Sequence, residues 1–260
     1  MRVVIKIGGA LLEDPALVEQ WAQCVSQLAA SGHEVMAVHG GGAALTRTLD
    51  RMGKKSTFVN GLRVTDAETR DAALMVLAGL TNKKLVAALA RRGTRALGIC
   101  GADGMSFRAR KRQSTNGDLG FVGDVSSVDA AWLESVRSQS VVPVIASIAL
   151  GEDGEFYNVN ADEMASACAV ATGAKLLAFL TDVPGVWNAE RTVIPRLTSA
   201  EVAELTRSGI IQGGMLPKLE ASQRALRGGV SSVHILPGAA LEKLSRLGHT
   251  PIDSGTELVA

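Results

Sequence analysis

Lys218 stands where the electrostatics of a helix favours an acid. It follows Gly213 and Gly214 in the run GGMLPK, and Pro217 is well placed as the first residue of a helix through LEASQRALR. A cation in the first turn opposes the helix dipole. Lys218 is therefore either exposed and screened, or it shares an anion with the glycines and the free first-turn amides.

Lys6 breaks a second local rule. A strand buried in a parallel sheet should be apolar, yet VVIKIGG carries Lys6 near its end, followed by Gly8 and Gly9. An edge strand whose lysine reaches solvent is one explanation. The other is an anion site, because ligands of open α/β sheets bind beyond the carboxyl ends of strands, where paired glycines expose backbone amides.

The second strand ends in a similar run, AVHGGGAAL, with Gly40, Gly41 and Gly42 leading into a helix. A simple strand-to-helix turn rarely needs three glycines, so this run indicates a bare anion nest. His39, just before it, is interpreted as a packed and hydrogen-bonded residue, not as a catalyst.

Arg63 lies on one arm of a predicted hairpin over residues 54 to 64, with Asn60-Gly61 at its turn. Its planar guanidinium could clamp a carboxylate, although a surface salt bridge is the alternative. The nearby Thr65 and Glu68 are explained as a capping box for the next helix.

The stretch YNVNADEMASACAV ends a strand and opens a helix, and Asn158 and Asn160 project to the same side of it. Asn160 with Glu163 suits a variant of the capping box. Asp162 either complements the helix dipole or pairs with lysines, and the second role requires that Lys6 and Lys218 converge on it.

A third strand end, FLTDVPGVW, carries Asp182 before a Pro184-Gly185 turn. The ribose or base of a nucleotide could bind there, although the turn itself is ordinary.

Short apolar runs alternate with amphipathic ones along the chain, which is typical of βαβ units and a mainly parallel sheet covered on both faces. Strands are predicted at VVIKI, EVMAV, TRALGI, SVVPVIASI, LLAFL and SVHILP, with helices near 15–31, 43–53, 66–92, 129–138, 161–172, 199–208 and 217–228. Residues 105–125 are expected to form a hairpin or mobile loop. Two lobes meet near residue 175.

Composition excludes several classes of function. The 260 residues hold 27 Lys plus Arg against 26 Asp plus Glu, a net charge of +1 that disfavours a nucleic acid or acidic membrane partner. Cys24, Cys100 and Cys168 have neither zinc nor disulfide spacing. No leader precedes the strand-like start MRVVIKIGG, and no apolar run of membrane-spanning length is evident, so we expect a soluble cytoplasmic protein.

The motifs KIGG, HGGG, GLRVTDAET, NVNAD, TDVPG and GGMLPK occur in this order over nearly the whole chain. Together they resemble the amino acid kinase superfamily, and GLRVTDAET resembles its acetylglutamate kinase branch in particular. The resemblance implies a single domain over 1–260 with the carbamate kinase-like fold, a three-layer αβα sandwich. Its N-terminal lobe, about 1–174, would bind the amino acid, and its C-terminal lobe, about 175–260, would bind ATP.

The resemblance also implies transfer of a phosphoryl group from MgATP to the side-chain carboxylate of N-acetyl-L-glutamate, in arginine biosynthesis. Lys6 and Lys218 would stabilise that group, and Asp162 would organise them. The other implied site residues are backbone donors to the phosphoryl oxygens at Gly8, Gly9 and Gly41; acetylglutamate ligands Gly41, Gly42, Arg63, Asn158 and Asn160; and a nucleotide site of Asp182, Val183, Pro184, Gly185, Val186, Trp187, Ile210, Ile211, Gln212 and Lys218. Magnesium would arrive with ATP, with no dedicated protein site.

The chain departs from the family at Ala43, where proline often follows HGGG, and it has no helix before the first strand. Relatives inhibited by arginine usually carry that helix, so a homodimer insensitive to arginine is expected. Two alternatives remain: a carboxylate kinase acting on carrier-bound aminoadipate or glutamate in lysine biosynthesis, and an inactive ligand sensor. A purely structural protein would leave the anion-facing residues unexplained.

Overall fold

The computed structural model describes residues 1–115, 117–247 and 252–259. Its strands are β1 Arg2–Ile7, β2 Glu34–His39, β3 Phe58–Val59, β4 Leu62–Arg63, β5 Ala96–Ile99, β6 Phe107–Lys111, β7 Val122–Val128, β8 Val142–Ala146, β9 Ile148–Gly151, β10 Phe156–Val159, β11 Leu176–Thr181, β12 Arg196–Thr198, β13 Ser232–Pro237 and β14 Thr256–Val259. Its helices are α1 Pro15–Ala30, α2 Gly42–Arg51, α3 Ala67–Ala73, α4 Asn82–Arg91, α5 Ala130–Arg137, α6 Ala161–Ala171, α7 Ser199–Arg207, α8 Met215–Arg227 and α9 Leu241–Ser245.

Within the described residues, eight strands form one sheet in the order β12-β14-β13-β11-β1-β2-β8-β5. Neighbouring strands are parallel from β13 to β5, and β14 runs antiparallel to β13. The sheet is continuous across the division predicted near residue 175, because β1 pairs with both β2 and β11. The mainly parallel α/β sheet is therefore confirmed.

Strand β1 shows how the sheet is covered on both faces. Val3 and Ile5 belong to a core cluster with side chains of α1, α4 and α9, whereas Val4 belongs to a cluster with α6 and α8. Because side chains alternate along a strand, Lys6 lies on the same face as Val4, towards α6 and α8. The three-layer arrangement thus brings Lys6 to the helices that carry Asp162 and Lys218.

Two smaller sheets lie beside the main one. Strands β6, β7, β9 and β10 close into a small barrel, and β3 with β4 forms a hairpin whose turn holds Asn60 and Gly61. The hairpin predicted over 54–64 is confirmed, and of the two forms expected for 105–125, a hairpin or a mobile loop, the described residues form the hairpin, β6 with β7. The single strand predicted at SVVPVIASI is wrong, because the chain leaves the main sheet at Ser147 and divides into β8 and β9.

The helix predicted near 66–92 is one continuous run, Ala67–Arg91, in which the π-helical segment Leu74–Thr81 joins α3 to α4. By length and composition alone this run would suffice to cross a membrane, contrary to the sequence expectation, and half of its most apolar window is buried inside the protein. Its α4 part packs against α1, β5 and β8, as expected of a core helix.

Two predicted helix starts are wrong. Helix α8 begins at Met215, so Pro217 is its third residue and Lys218 its fourth. Asp66 caps α3 by accepting from the Thr69 amide, so the capping box predicted for Thr65 and Glu68 does not form. An aspartate directly before the helix competes better for this position, and it is a preferred N-cap residue.

Candidate active site

The three charged residues singled out in the sequence meet at one point. Lys6 Nζ lies 2.8 Å from Asp162 Oδ1, and Lys218 Nζ lies 3.0 Å from Asp162 Oδ2. All three residues are buried, with at most 9 % of each residue exposed. Two ammonium groups and one carboxylate leave an excess of one positive charge, which suits a centre that receives an anion.

The pKa values of this cluster follow from burial and charge together. Burial alone would raise the pKa of the Asp162 carboxyl, but Lys6 and Lys218 outweigh it and lower the pKa to about 2. For Lys218, burial and then the like charge of Lys6 lower the ammonium pKa to about 8, against the raising effect of Asp162. Asp162 is therefore ionised at neutral pH, and Lys218 can lose its proton slightly above neutral pH.

Glycine is required beside this cluster because the chain and side chains approach closely. A Cβ on Gly8 would lie 2.6 Å from Lys6 Nζ, which is too close for the ammonium group to keep its present position. Gly41 has φ +151°, and a Cβ there would lie 2.7 Å from a methyl of Leu77. The amides of Gly8 and Gly41 have no backbone acceptor among the described residues, so they are free to bind an anion.

Two cavities open on either side of this point. The larger, about 630 Å³, lies towards β11 and α8, and the smaller, about 290 Å³, lies between the Gly40–Gly42 run, the β3–β4 hairpin and β10. Lys6, Gly8 and Gly9 line both cavities. A group passed from a ligand in one cavity to a ligand in the other would therefore travel past Lys6.

The smaller cavity contains a buried arginine with no acidic partner. Arg63 is 7 % exposed, donates from Nη2 to the Gly42 carbonyl at 3.0 Å and to Thr46 Oγ1 at 2.7 Å, and also donates to Ser56. Its guanidinium lies 4.7 Å from the centre of the Phe58 ring. No carboxylate of the described residues lies within ion-pair distance of it. The surface salt bridge considered from the sequence is therefore absent from this part of the chain.

The asparagines and the histidine have structural partners. Asn160 caps α6 by accepting from the amides of Asp162 and Glu163, and Asn158 donates to Thr65 at 3.3 Å. Glu163 makes no reciprocal bond to the cap, so only the Asn160 half of the predicted capping box forms. His39 is fully buried against Asn82, and burial lowers its pKa to about 4, as expected of a packed residue.

The structure groups the residues predicted for each ligand. Those of the smaller cavity are Gly41, Gly42, Arg63, Asn158 and Asn160. Those of the larger cavity are Asp182, Val183, Gly185, Val186, Trp187, Ile210, Ile211, Gln212 and Lys218. Pro184 is the exception, because it is exposed and does not line the larger cavity. No group of three His, Cys, Asp or Glu side chains in the described part of the chain is arranged to hold a metal ion.

Several lining residues were not identified from the sequence. Leu77 and Ser147 line the smaller cavity, and Leu180 and Met215 line the larger one. Their neighbours along the chain do not distinguish them from core residues. The break of the main-sheet strand at Ser147 and the π-helical turn at Leu77 are the local features that bring these two residues to the cavity, and neither has a plain sequence signal.

Known proteins resemble this chain in sequence and in fold. The model of the amino acid kinase family matches residues 1–237. An acetylglutamate kinase of Acidobacterium capsulatum is 54 % identical over 260 residues, covering 100 % of both chains, and one of Koribacter versatilis is 54 % identical, covering 100 % of this chain and 99 % of its own. A crystal structure of a protein from Streptococcus mutans superposes with a TM-score of 0.84 at 27 % identity, covering 100 % of this chain and 98 % of its own.

Proposed function

The chain belongs to the amino acid kinase family, and we propose that it is a transferase that moves the terminal phosphoryl group of MgATP to the side-chain carboxylate of N-acetyl-L-glutamate. The products are N-acetyl-L-glutamyl 5-phosphate and ADP, in arginine biosynthesis. The observation that carries this proposal is the meeting of two cavities at a positively charged centre formed by Lys6, Asp162 and Lys218.

In this proposal the acceptor carboxylate attacks the terminal phosphorus, and the bond from that phosphorus to the bridging oxygen of ADP breaks. The carboxylate is already ionised at pH 7, so no general base is required. Catalysis then depends on position and on stabilising the charge of the transferring group. Lys6 and Lys218 supply that charge, and the amides of Gly8, Gly9 and Gly41 donate to the phosphoryl oxygens.

Asp162 acts on the lysines and not on the substrate. Its two oxygens are separately engaged, one by each ammonium group, so the two cations stay together despite their mutual repulsion. Lys218 also lies 5.0 Å from the centre of the Phe179 ring, which favours a cation at that position. The lysines are thus arranged before the phosphoryl group arrives.

The smaller cavity would bind acetylglutamate. Arg63 is a buried cation with no ion-pair partner among the described residues, and the α-carboxylate of the substrate would supply one. The amides of Gly41 and Gly42 and the side chains of Asn158 and Asn160 offer the remaining polar contacts. The nitrogen of Asn160 is free to contact the substrate, because its cap to α6 uses only the oxygen.

The larger cavity would bind MgATP. The exposed apolar side chains of Trp187 and Ile210 line this cavity and suit the base of the nucleotide. Lys218 and the glycines line it as well and suit the phosphates. Magnesium enters as part of this substrate. We propose that 1–260 acts as one domain, with the amino acid bound by the part up to about residue 174 and the nucleotide mainly by the part from about 175.

Trapping the acyl phosphate with hydroxylamine tests the reaction and the acceptor together. The protein is incubated with MgATP and N-acetylglutamate, beside N-acetylaspartate, free glutamate and N-acetylaminoadipate. We expect hydroxamate with N-acetylglutamate only. Protein that binds ATP but yields no hydroxamate with any free acceptor would contradict the proposal and favour a carrier-dependent kinase or a sensor.

The titration of Lys218 predicts an alkaline limit to activity. Its pKa in the free protein is about 8, below the ordinary value, so a rise in pH through 8 removes the proton that gives the lysine its charge. We expect kcat/KM for ATP to fall above about pH 8, and kcat to fall at higher pH because bound phosphates favour the ammonium form. Lys218→Arg, which stays protonated, should show no such limb, and a wild-type profile flat to pH 10 would be incompatible with this role.

We propose that the protein is a homodimer. Met75 and Leu80 of the π-helical segment are 60 % and 53 % exposed, and Leu97 on β5, the last strand of the main sheet, is 41 % exposed. Leu80→Glu would place a charge in a contact between two such faces. We expect light scattering to give the mass of two chains for the wild type and of one for Leu80→Glu, and a wild-type monomer or hexamer would contradict the proposal. Loss of activity on adding arginine would contradict the expected insensitivity.

We also infer a cytoplasmic location, with no nucleic acid or membrane partner. Cys24, Cys100 and Cys168 are all free and buried, which suits a reducing compartment. The net charge of +1 supplies no strong field for a polyanion.

A further inference from the structure

Glu163, the residue after Asp162, repeats the arrangement of Asp162 with a different pair of cations. Its Oε2 accepts from Arg112 Nη2 at 2.6 Å, and its Oε1 lies 3.6 Å from Arg224 Nη1. The Val125 amide also donates to Oε1 at 3.0 Å. Two consecutive acids on α6 therefore each join a cation from the first part of the chain to a cation of α8.

The burial of this second cluster is uneven. The Glu163 side chain is 8 % exposed, that of Arg112 27 % and that of Arg224 51 %. Burial raises the pKa of Glu163, the Val125 amide and Arg112 oppose that rise, and Asp124, which also pairs with Arg112, adds to it. A buried carboxylate is costly unless it is paired, so Glu163 favours the arrangement in which both arginines approach it.

The cluster also lies beside the reacting centre. Arg112, Glu163 and Arg224 line a third cavity, about 860 Å³, between the β3–β4 hairpin, the chain after β6 and the start of α8. Asp162 and Gly214 line the same cavity. The contact between α6 and α8 thus borders an open cleft, while α8 also packs against α7, β13 and β14.

The spacing of the contacts determines what they can do. Lys218 and Arg224 are six residues apart on α8, which is about 9 Å along a helix. Apolar packing holds α8 against α6, and two ion pairs at that separation restrain its direction as well as its distance from α6. The start of α8 carries Lys218, so its direction sets where that ammonium lies.

We propose that Glu163 is a positioning residue that binds Arg112 and Arg224 and so holds α8 with the Lys218 ammonium at Asp162. This inference rests on the proposed phosphoryl transfer. Glu163 contacts neither the smaller nor the larger cavity, so it acts through Lys218 and not on a substrate.

Steady-state kinetics of Glu163→Gln test this role. We expect kcat to fall about tenfold, because small displacements of a catalytic group cost large factors in rate, with the KM for acetylglutamate within about twofold of the wild type. Arg224→Gln should lower kcat less, and the double variant should be no slower than Glu163→Gln alone, since both changes break the same contact. The matched controls are Glu220→Gln and Arg227→Gln. Both residues are exposed on α8, the helix that carries Arg224, and both variants should leave kcat unchanged.

A second measurement does not require turnover. The Lys218 ammonium faces Lys6, Asp162 and Asp182, and its titration is followed by NMR with ¹³C-labelled lysine. If Glu163 holds α8 in place, Glu163→Gln should let Lys218 reach water, and its pKa should rise from about 8 towards the ordinary value for lysine. A wild type that is inactive with every acceptor would defeat the proposed function, while this titration would still decide the role of Glu163.

The inference is overturned if Glu163→Gln lowers the melting temperature but leaves both kcat and the Lys218 titration as in the wild type. Additive losses in the double variant would equally contradict a shared contact. If Glu163→Gln does not fold, Arg224→Gln decides the question, because its half-exposed side chain can be shortened without burying an unpaired group on α8. An unchanged kcat and an unchanged titration in that variant would also reject the proposal.

Discussion

Replacement of Lys218 by alanine is expected to lower kcat by a factor on the order of a hundred or more, as for the loss of one preorganised charge donor. The reason is the position of its ammonium, 3.0 Å from Asp162 and on the wall of the larger cavity. There it meets charge that develops during phosphoryl transfer, so the loss should fall on kcat more than on KM. Steady-state kinetics with acetylglutamate and MgATP measure it.

Two further variants separate charge from packing. Lys218→Met keeps much of the side-chain volume without the charge, and we expect it to be as slow as Lys218→Ala. Lys175→Ala removes an exposed lysine directly before β11 and should leave kcat unchanged. If Lys218→Met retained wild-type turnover, the ammonium would have no part in the chemistry.

Asp162 stays paired in these variants, which makes the kinetics interpretable. Its other oxygen remains 2.8 Å from Lys6, so the buried carboxylate keeps a charged partner.

The stability of the fold at acid pH should still change when one lysine is removed. The Asp162 pKa is lowered in the folded protein, so its contribution to stability is present above the unfolded value and disappears as pH falls towards about 2. Removal of one lysine should move that loss to higher pH.

Much of this site could be predicted from the sequence, because each of its charged residues breaks a local rule. A lysine in a buried strand and a lysine in a first helical turn are each weak signals. The period of two along β1 and the position of Asp162 in the first turn of α6 bring both lysines to one carboxylate. The resemblance of the motifs to a known family then indicates which anion the two lysines bind.

Other features depend on contacts that no local pattern encodes. The break between β8 and β9 occurs because the chain leaves the main sheet for the small barrel, and a continuous apolar run conceals it. Thr65 and Asp66 are both suitable N-cap residues, and the choice depends on whether α3 begins at residue 66 or at residue 67. Glu163 was interpreted only as part of a cap, since the two arginines that approach it come from distant parts of the chain.

The start of α8 is a third such case. Proline is favoured at the first helical position, yet here the helix begins two residues earlier, at Met215. Met215 lines the larger cavity, so the additional residues extend the helix into the site. The outcome for Lys218 is unchanged, because it stays within about one turn of the helix start in either register.

Arg63→Ala is expected to raise the KM for acetylglutamate by about 30-fold or more while changing kcat little. Truncating one member of a buried charge pair costs about 2 to 5 kcal/mol, and about 1.4 kcal/mol corresponds to tenfold in affinity. The effect falls on KM because the α-carboxylate is held alike in the ground and transition states. The KM for ATP should stay near the wild-type value, since Arg63 lines only the smaller cavity.

The state of Arg63 without substrate supports an effect of this size. A guanidinium has five N–H donors, and three are used by Ser56, the Gly42 carbonyl and Thr46. These neutral acceptors fix the group in place without neutralising it. Two donors and a charge with no ion-pair partner among the described residues therefore remain for a ligand, so the binding energy is not spent on orienting the side chain.

Arg70 provides the matched control, because it also lies over an aromatic ring, at 4.4 Å from the centre of Phe121, but is paired with Asp71 and Glu155. It lines neither cavity, so Arg70→Ala should alter stability and leave the KM for acetylglutamate unchanged. Arg63→Lys keeps a charge but loses the planar fork, and an intermediate KM is expected. If Arg63→Ala instead raised the KM for ATP alone, the carboxylate of the amino acid would have to be bound elsewhere, and the assignment of the two cavities would be reversed.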